Sequence, residues 1–209
     1  MNFSFCIFVE IFLTFLKKIM AYVEYPEQIL ETAAELMQTR AFTAFSYQDI
    51  ADRLGITKAA IHSHYRTKEM LGNALLEKYL EEAKDFYSEA ESCGDGAWDK
   101  FDAFMAGLVS TIIEENKVCP VTVLQVEHNV IQESMQRGIS KIYNQNKVWM
   151  TKILKQGRDE KVMAFQGKSE DQASLILATL QGALMNARAE GPELFEIIVG
   201  QIKKNMKPA

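Results

Sequence analysis

The chain has 209 residues, of which 48% are hydrophobic and 24% charged, and only four are proline. That length accommodates one large or two small domains, and the balance is that of a soluble globular protein able to bury a core. A formal net charge of −5 excludes a uniformly basic nucleic-acid coat, though not a local basic surface.

The first 19 residues differ from the rest. Phe3, Phe5, Ile7, Phe8, Val9, Ile11, Phe12, Leu13, Phe15 and Leu16 form an apolar run interrupted by Glu10. The run is too short for an ordinary membrane span. Its charges, Lys17 and Lys18, follow the apolar stretch, whereas a signal peptide carries them in front. Met20-Ala21 comes next, so translation is expected to begin at Met20, residues 1–19 being a mis-assigned extension. A membrane-lying leader is the alternative.

A first helix is expected near Pro26, a residue at home in an opening helical turn. Ile29, Ala33, Leu36 and Met37 share one of its faces. The stretch from Ser46 to Tyr65 then reads as helix, turn, helix. Ser46 can cap the first helix with Asp49 three residues on. Ile50 and Leu54 share a face, and Ala51 allows close approach of another helix. Gly55 suits the left-handed position that ends a helix. Thr57 caps the second helix, on which Ile61 and Tyr65 turn inward while Lys58, Ala59, His62 and Ser63 face out. Such a unit can place its second helix in the major groove of DNA. Lys and His can meet phosphates or guanine edges, and Ala a thymine methyl. Residues 46–68 hold Arg53, Lys58, Arg66 and Lys68 against Asp49 and Asp52, a modest positive excess.

Thr67 caps a long helix expected from Lys68 to about Ser92, in whose first turn Lys68 and the free amides together suit a phosphate. Cys93-Gly94-Asp95-Gly96 marks a turn. It is not a dinucleotide loop, since the third Gly of that fingerprint would fall on Asp99. Helices follow over about Ala97–Asn116 and Ile131–Gln156, with short helical pieces through Val121–His128 between them. Arg158–Lys168 reads as a polar loop. Gly167-Lys168-Ser169 ends like a phosphate loop, but position 162 is Val, which rules that out. Ser169 is expected to cap a helix that is apolar on several sides, and Gly191-Pro192 separates it from a last one. The surplus apolar surface of this pair calls for a partner, most simply the same pair of a second subunit.

The run from about Tyr25 to Leu80 resembles the N-terminal domain of the tetracycline-repressor-like (TetR/AcrR) family. The matching features are Ala33-Ala34, Ile50-Ala51, Gly55, the segment Ile61 to Tyr65, and Lys68-Glu69-Met70-Leu71. Three positions depart: Ala41 stands where Gly is usual, His62 where a phosphate-contacting Tyr is common, and Tyr65 where Phe is usual.

The resulting expectation is an all-α chain. A three-helix helix-turn-helix head occupies residues 22–82, with the motif at about 45–64, and a helical ligand-binding and dimerisation body occupies 83–209. The DNA-contacting set is Ser46, Tyr47, Thr57, Lys58, Ala59, His62, Ser63, His64 and Lys68. The dimer set is Leu175, Ala178, Gly182, Leu194, Ile198 and Ile202, and the resemblance implies the same four-helix dimer. It also implies a small-molecule pocket in the body, for which Trp98, Phe101, Phe104, Met105, His128, Tyr143 and Trp149, with Met135 and Met150, have suitable chemistry. Each of these singly suits a packed core better than a pocket.

The function expected is a cytoplasmic, ligand-released repressor that binds a near-palindromic double-stranded operator as a homodimer, without cofactor, metal or membrane partner. A helical ligand-binding or interaction protein without specific DNA binding is the second reading, and a small helical enzyme the third. Catalytic motifs are missing from the sequence, and Glu127-His128 is one conceivable acid–base or metal pair. Cys6, Cys93 and Cys119 are too scattered for a disulfide framework or zinc site and fit a reducing compartment.

Overall fold

The computed structural model describes residues 25–109 and 118–208. The apolar leader, residues 1–19, lies outside the described residues. All regular structure among the described residues is helical. Helix α1 covers residues 25–40. It is followed by α2 (Tyr47–Leu54), α3 (Lys58–His64), α4 (Lys68–Ser92), α5 (Ala97–Leu108), α6 (Pro120–Val126), α7 (Glu133–Asp159), α8 (Ser169–Glu190) and α9 (Glu193–Asn205).

The helix starts obey local chemistry. The Ser46 hydroxyl accepts from the Gln48 amide at 3.2 Å, and the Asp49 carboxylate accepts from the Ser46 amide at 2.8 Å and hydroxyl at 2.7 Å. Thr57 accepts from the Ala60 amide at 3.2 Å, and Thr67 from the Met70 amide at 3.1 Å. Gly55 ends α2 with φ +64°, where any other residue would be strained.

Replacing Ser46 by Ala is expected to cost about 1 kcal/mol of head stability, read by thermal melting. The hydroxyl and amide of Ser46, then Arg40, hold the Asp49 carboxyl below its usual range. Its contribution is therefore present at neutral pH and lost as the pH falls through that lowered value. The Ser46→Ala variant should show a correspondingly flatter acid limb.

Some boundaries differ from expectation. Helix α7 runs on to Asp159, into the segment expected as loop. Ser169 is the first helical residue of α8 and is buried rather than capping. Lys168 occupies the cap position without a side-chain bond.

Two apolar cores organise the chain. The first joins Ile29, Leu36, Ile50 and Ile61 of the head to Leu71 and Leu75 of α4, Leu124 of α6, and Met135 and Ile139 of α7. The second joins the far half of α4 to α5, the second half of α7, α8 and α9 around Phe101, Trp149 and Phe195. The three-helix head thus closes its core only by borrowing from α4, α6 and α7. Helices α4 and α7 can lie close because each offers a glycine to the other. A Cβ at Gly72 would sit 2.5 Å from Met135 Cε, and one at Gly138 would sit 2.7 Å from Leu76 Cδ1. No described helix is long and apolar enough to cross a membrane.

Candidate nucleic-acid interface and effector cavity

The reading surface is built on α3. Ile61, wholly buried, anchors the inner side of the helix. Thr57, Lys58, Ala59, His62 and Ser63 remain exposed on its outer side, His64 is half-buried, and Ser46 is exposed at the start of α2. Ser63 folds its hydroxyl back onto the Ala60 carbonyl at 2.7 Å. His62 lays its ring against Tyr47, centroids 4.7 Å apart, with Nδ1 3.3 Å from the Arg66 carbonyl. Two arginines in and beside the stretch are committed to carboxylates. Arg53 binds Glu35 and Arg40 binds Asp49, each at 3.2 Å.

Two expected DNA contacts turn inward. Tyr47 is 8% exposed, and its hydroxyl donates to the Tyr65 carbonyl at 2.8 Å. Burial, then the charge of Tyr65, pushes its pKa up to about 12, so the phenol stays neutral. Tyr65 in turn donates to the Pro26 carbonyl at 3.3 Å. The two tyrosines tie the end of α3 to α2 and α1, which sets the angle at which α3 is offered. Lys68 donates to the Phe45 carbonyl, and its ammonium lies 4.2 Å over the Phe45 ring and 4.9 Å over Phe42. Burial lowers its pKa. An ammonium held on two ring faces and a carbonyl is a positioning group for the loop before α2, not a cation extended to a phosphate.

Most of the residues expected to line a ligand pocket meet in the second core rather than around a cavity, while Met135, Tyr143 and His128 lie apart from them. Phe101, Phe104, Met105 and Trp149 are core. Trp149 stacks on Tyr87 at 5.1 Å and on Phe104 at 5.0 Å, and its indole N–H donates to Glu91 at 2.9 Å. Trp98 donates to the Val162 carbonyl at 3.0 Å under the Lys203 ammonium. Met135 and Met150 are wholly buried in the two cores. Tyr143 is half-buried on α7, and His128 is exposed in the turn after α6. Packing consumes these aromatic residues, whose rings stack between α4, α5 and α7.

A solvent-open cavity of about 670 Å³ does lie at the junction of head and body. Its walls come from α1 and α4 to α7, and include Tyr79, Phe86, Leu108, Cys119, Val121 and Ile142. Tyr79 has a shielded hydroxyl with no partner among the described residues, and burial raises its pKa. Sequence reasoning missed this wall. Its one available signal was the spacing of Tyr79, Ala83 and Phe86, which repeats down one face of α4.

Glu127 has a different role from the acid–base or metal pairing entertained with His128. Its carboxylate accepts from the backbone amides of Phe42 at 2.8 Å and Thr43 at 2.9 Å, and from the Thr43 hydroxyl. Among the described residues no cluster of three or more His, Cys, Asp or Glu side chains could hold a metal ion.

On the last two helices, Leu175 is 60% exposed, Met185 41% and Ile197 66%. Ala178 and Gly182 are exposed between Leu175 and Met185 on the same side of α8, and a Cβ at Gly182 would meet nothing within 4 Å. Leu194, Ile198 and Ile202 are half-buried, the latter two packed on the second core.

Comparison with known proteins agrees with this geometry. Residues 29–75 match the family model described as bacterial regulatory proteins, tetR family. The HTH-type transcriptional repressor NemR of Escherichia coli K12 is 22% identical over 165 residues, 78% of this chain and 83% of that repressor. Among solved structures, a TetR-family transcriptional regulator from Agrobacterium tumefaciens superposes with a TM-score of 0.81 at 25% identity, covering 87% of this chain and 97% of its own. A TetR transcriptional regulator from Legionella pneumophila gives 0.79 at 26% identity, with the same coverages. A buried-backed α3 with an exposed outer face, a matched head sequence and whole-length structural likeness converge on a DNA-binding transcriptional regulator whose fold is that of TetR-family proteins.

Proposed function

We propose that the protein is a cytoplasmic, homodimeric repressor that binds a near-palindromic operator and releases it when a small molecule occupies the body. The observation that carries this reading is the outer face of α3, where Lys58, Ala59, His62 and Ser63 stand clear on a helix pinned from behind by Ile61. Lys58 and His62 supply donors for phosphates and guanine edges, and Ala59 leaves room for a thymine methyl.

Dimerisation is supported by the apolar stripe on α8 and by Ile197 on α9, which a two-fold related copy would cover. It would set two heads one or more helical turns apart on the duplex, which is the reason for expecting a near-palindrome. The effector site is supported by the junction cavity, whose walls belong to both head and body, so an occupant there would touch elements of both. Relatives named as repressors, NemR among them, favour repression over activation.

The test is fluorescence anisotropy of the purified protein with the DNA upstream of its own gene and with a scrambled control, across a salt series. Binding should prefer the upstream DNA, with one dimer per site, and fall steeply as salt rises because phosphate contacts release counterions. Equal binding to both, followed by selection from random DNA that returns no motif, overturns the reading.

A further inference from the structure

The segment that leads into the helix-turn-helix is held from the body. Helix α1 ends just before Ala41, which has φ +83° and whose amide bonds to the Met37 carbonyl at 3.0 Å. That left-handed conformation suits glycine and strains alanine, and such strain persists only where neighbours over-determine it. The next two amides, of Phe42 and Thr43, point at the Glu127 carboxylate at 2.8 and 2.9 Å, and the Thr43 hydroxyl joins them. Phe42 and Phe45 carry the Lys68 ammonium on their rings, and that ammonium feels the same carboxylate. Ser46, which caps α2, follows at once.

Glu127 is the C-terminal cap residue of α6. Helix α6 is short, and its first residues, Pro120 and Val121, are walls of the junction cavity. Val121, Val123 and Leu124 pack into the core shared with the head. A single rigid helical piece therefore has the cavity at one end and the loop before α2 at the other. Other bonds across the junction land elsewhere. Gln38 of α1 donates to the Val118 carbonyl at 3.2 Å, and Asn73 of α4 donates to Ser134 at 3.0 Å.

We propose that Glu127 is the positioning residue that couples the body to the reading head. A change at the cavity end of α6 shifts its C-terminal cap, and the carboxylate carries that shift to the amides of residues 42 and 43 and so to the start of α2. The inference rests on the ligand-responsive reading above, but its geometry is testable without an effector. Coupling is reciprocal, so if this clasp carries it, binding of DNA at the head is felt in α6 as well.

The experiment is amide hydrogen exchange on the full chain and on Glu127→Ala, free and bound to operator DNA. In the free protein the variant should exchange Phe42 and Thr43 at least tenfold faster, while α8 is unchanged. In the parent, operator binding should slow exchange across residues 120–127 several-fold, and in Glu127→Ala that slowing should vanish. Glu127→Gln keeps one acceptor oxygen and should fall between the two, and it carries the same comparison if the Ala variant fails to fold. Unchanged exchange at Phe42 and Thr43, or a DNA effect on α6 that survives Glu127→Ala, overturns the proposal. Absence of any specific DNA binding would instead count against the repressor reading, while the free-protein comparison still decides whether the clasp exists.

Discussion

Replacing Leu175 by Glu is expected to give a folded monomer whose operator affinity is lower by roughly a hundredfold or more. Leu175 is 60% exposed in the single chain, so the substitution removes little from either core. In a two-fold dimer built on α8 and α9 the position is used twice. Each copy would lose the burial of an apolar side chain, worth about 1.5–3 kcal/mol, and would have to desolvate a carboxylate in its place. Leu175 shares the apolar area of this surface with Met185 and Ile197, while Ala178 and Gly182 contribute closeness of approach. Once the subunits part, each head must find its half-site alone, and the advantage of linked binding is lost. Sedimentation velocity reports the mass, far-ultraviolet circular dichroism the helix content, and anisotropy the affinity. A variant that remains dimeric and binds like the parent would show that the subunits associate through another surface.

The second large effect is expected at Ala59. Position 59 lies in the first turn of α3, exposed, one residue after Lys58. An aspartate there suits the positive end of the helix, so Ala59→Asp should leave the melting temperature unchanged or slightly raised, by about 0.3–1 kcal/mol equivalent. The same carboxylate would face phosphates and the acceptor-rich edge of the major groove, where like charge repels. Operator affinity should fall by about a hundredfold or more, a loss of roughly 3 kcal/mol per site. Stability and binding thus move in opposite directions, which a general folding defect cannot imitate. The measurements are a melting curve and an anisotropy titration. Retained affinity would place the recognition surface elsewhere than the outer face of α3.

Tyr47 and Lys68 show why residue type alone does not identify a DNA contact. Both types are common at phosphate-facing positions, and both side chains here are used inside the head. Tyr47 reaches the carbonyl of Tyr65, and Lys68 reaches the carbonyl of Phe45. Each satisfies an acceptor that would otherwise be partly shielded from water, and each gains ring contacts in doing so. Their loss should disturb the angle of α3 or the loop before α2 rather than delete a phosphate contact.

Features that depend on neighbours along the chain are legible in the linear order of residues. The caps at Ser46, Thr57 and Thr67, the left-handed Gly55, and the inward Ile50 and Ile61 follow from interactions spanning at most four residues. The all-helical class and the head motif rest on the same short-range rules repeated many times. The division of aromatic residues between core and cavity, by contrast, emerges only from tertiary packing. Phe101, Phe104 and Trp149 pack against one another, while Tyr79 and Phe86 border the opening beside α1. The same packing brings Glu127 to the amides of residues 42 and 43, some 85 positions earlier in the chain. Hydrophobic periodicity says that a residue is buried but not against what, and a carboxylate's partners across such a distance are set by how α4, α6 and α7 stack. That stacking depends in turn on Gly72 and Gly138 permitting close approach, a condition that exists only once both helices are in place.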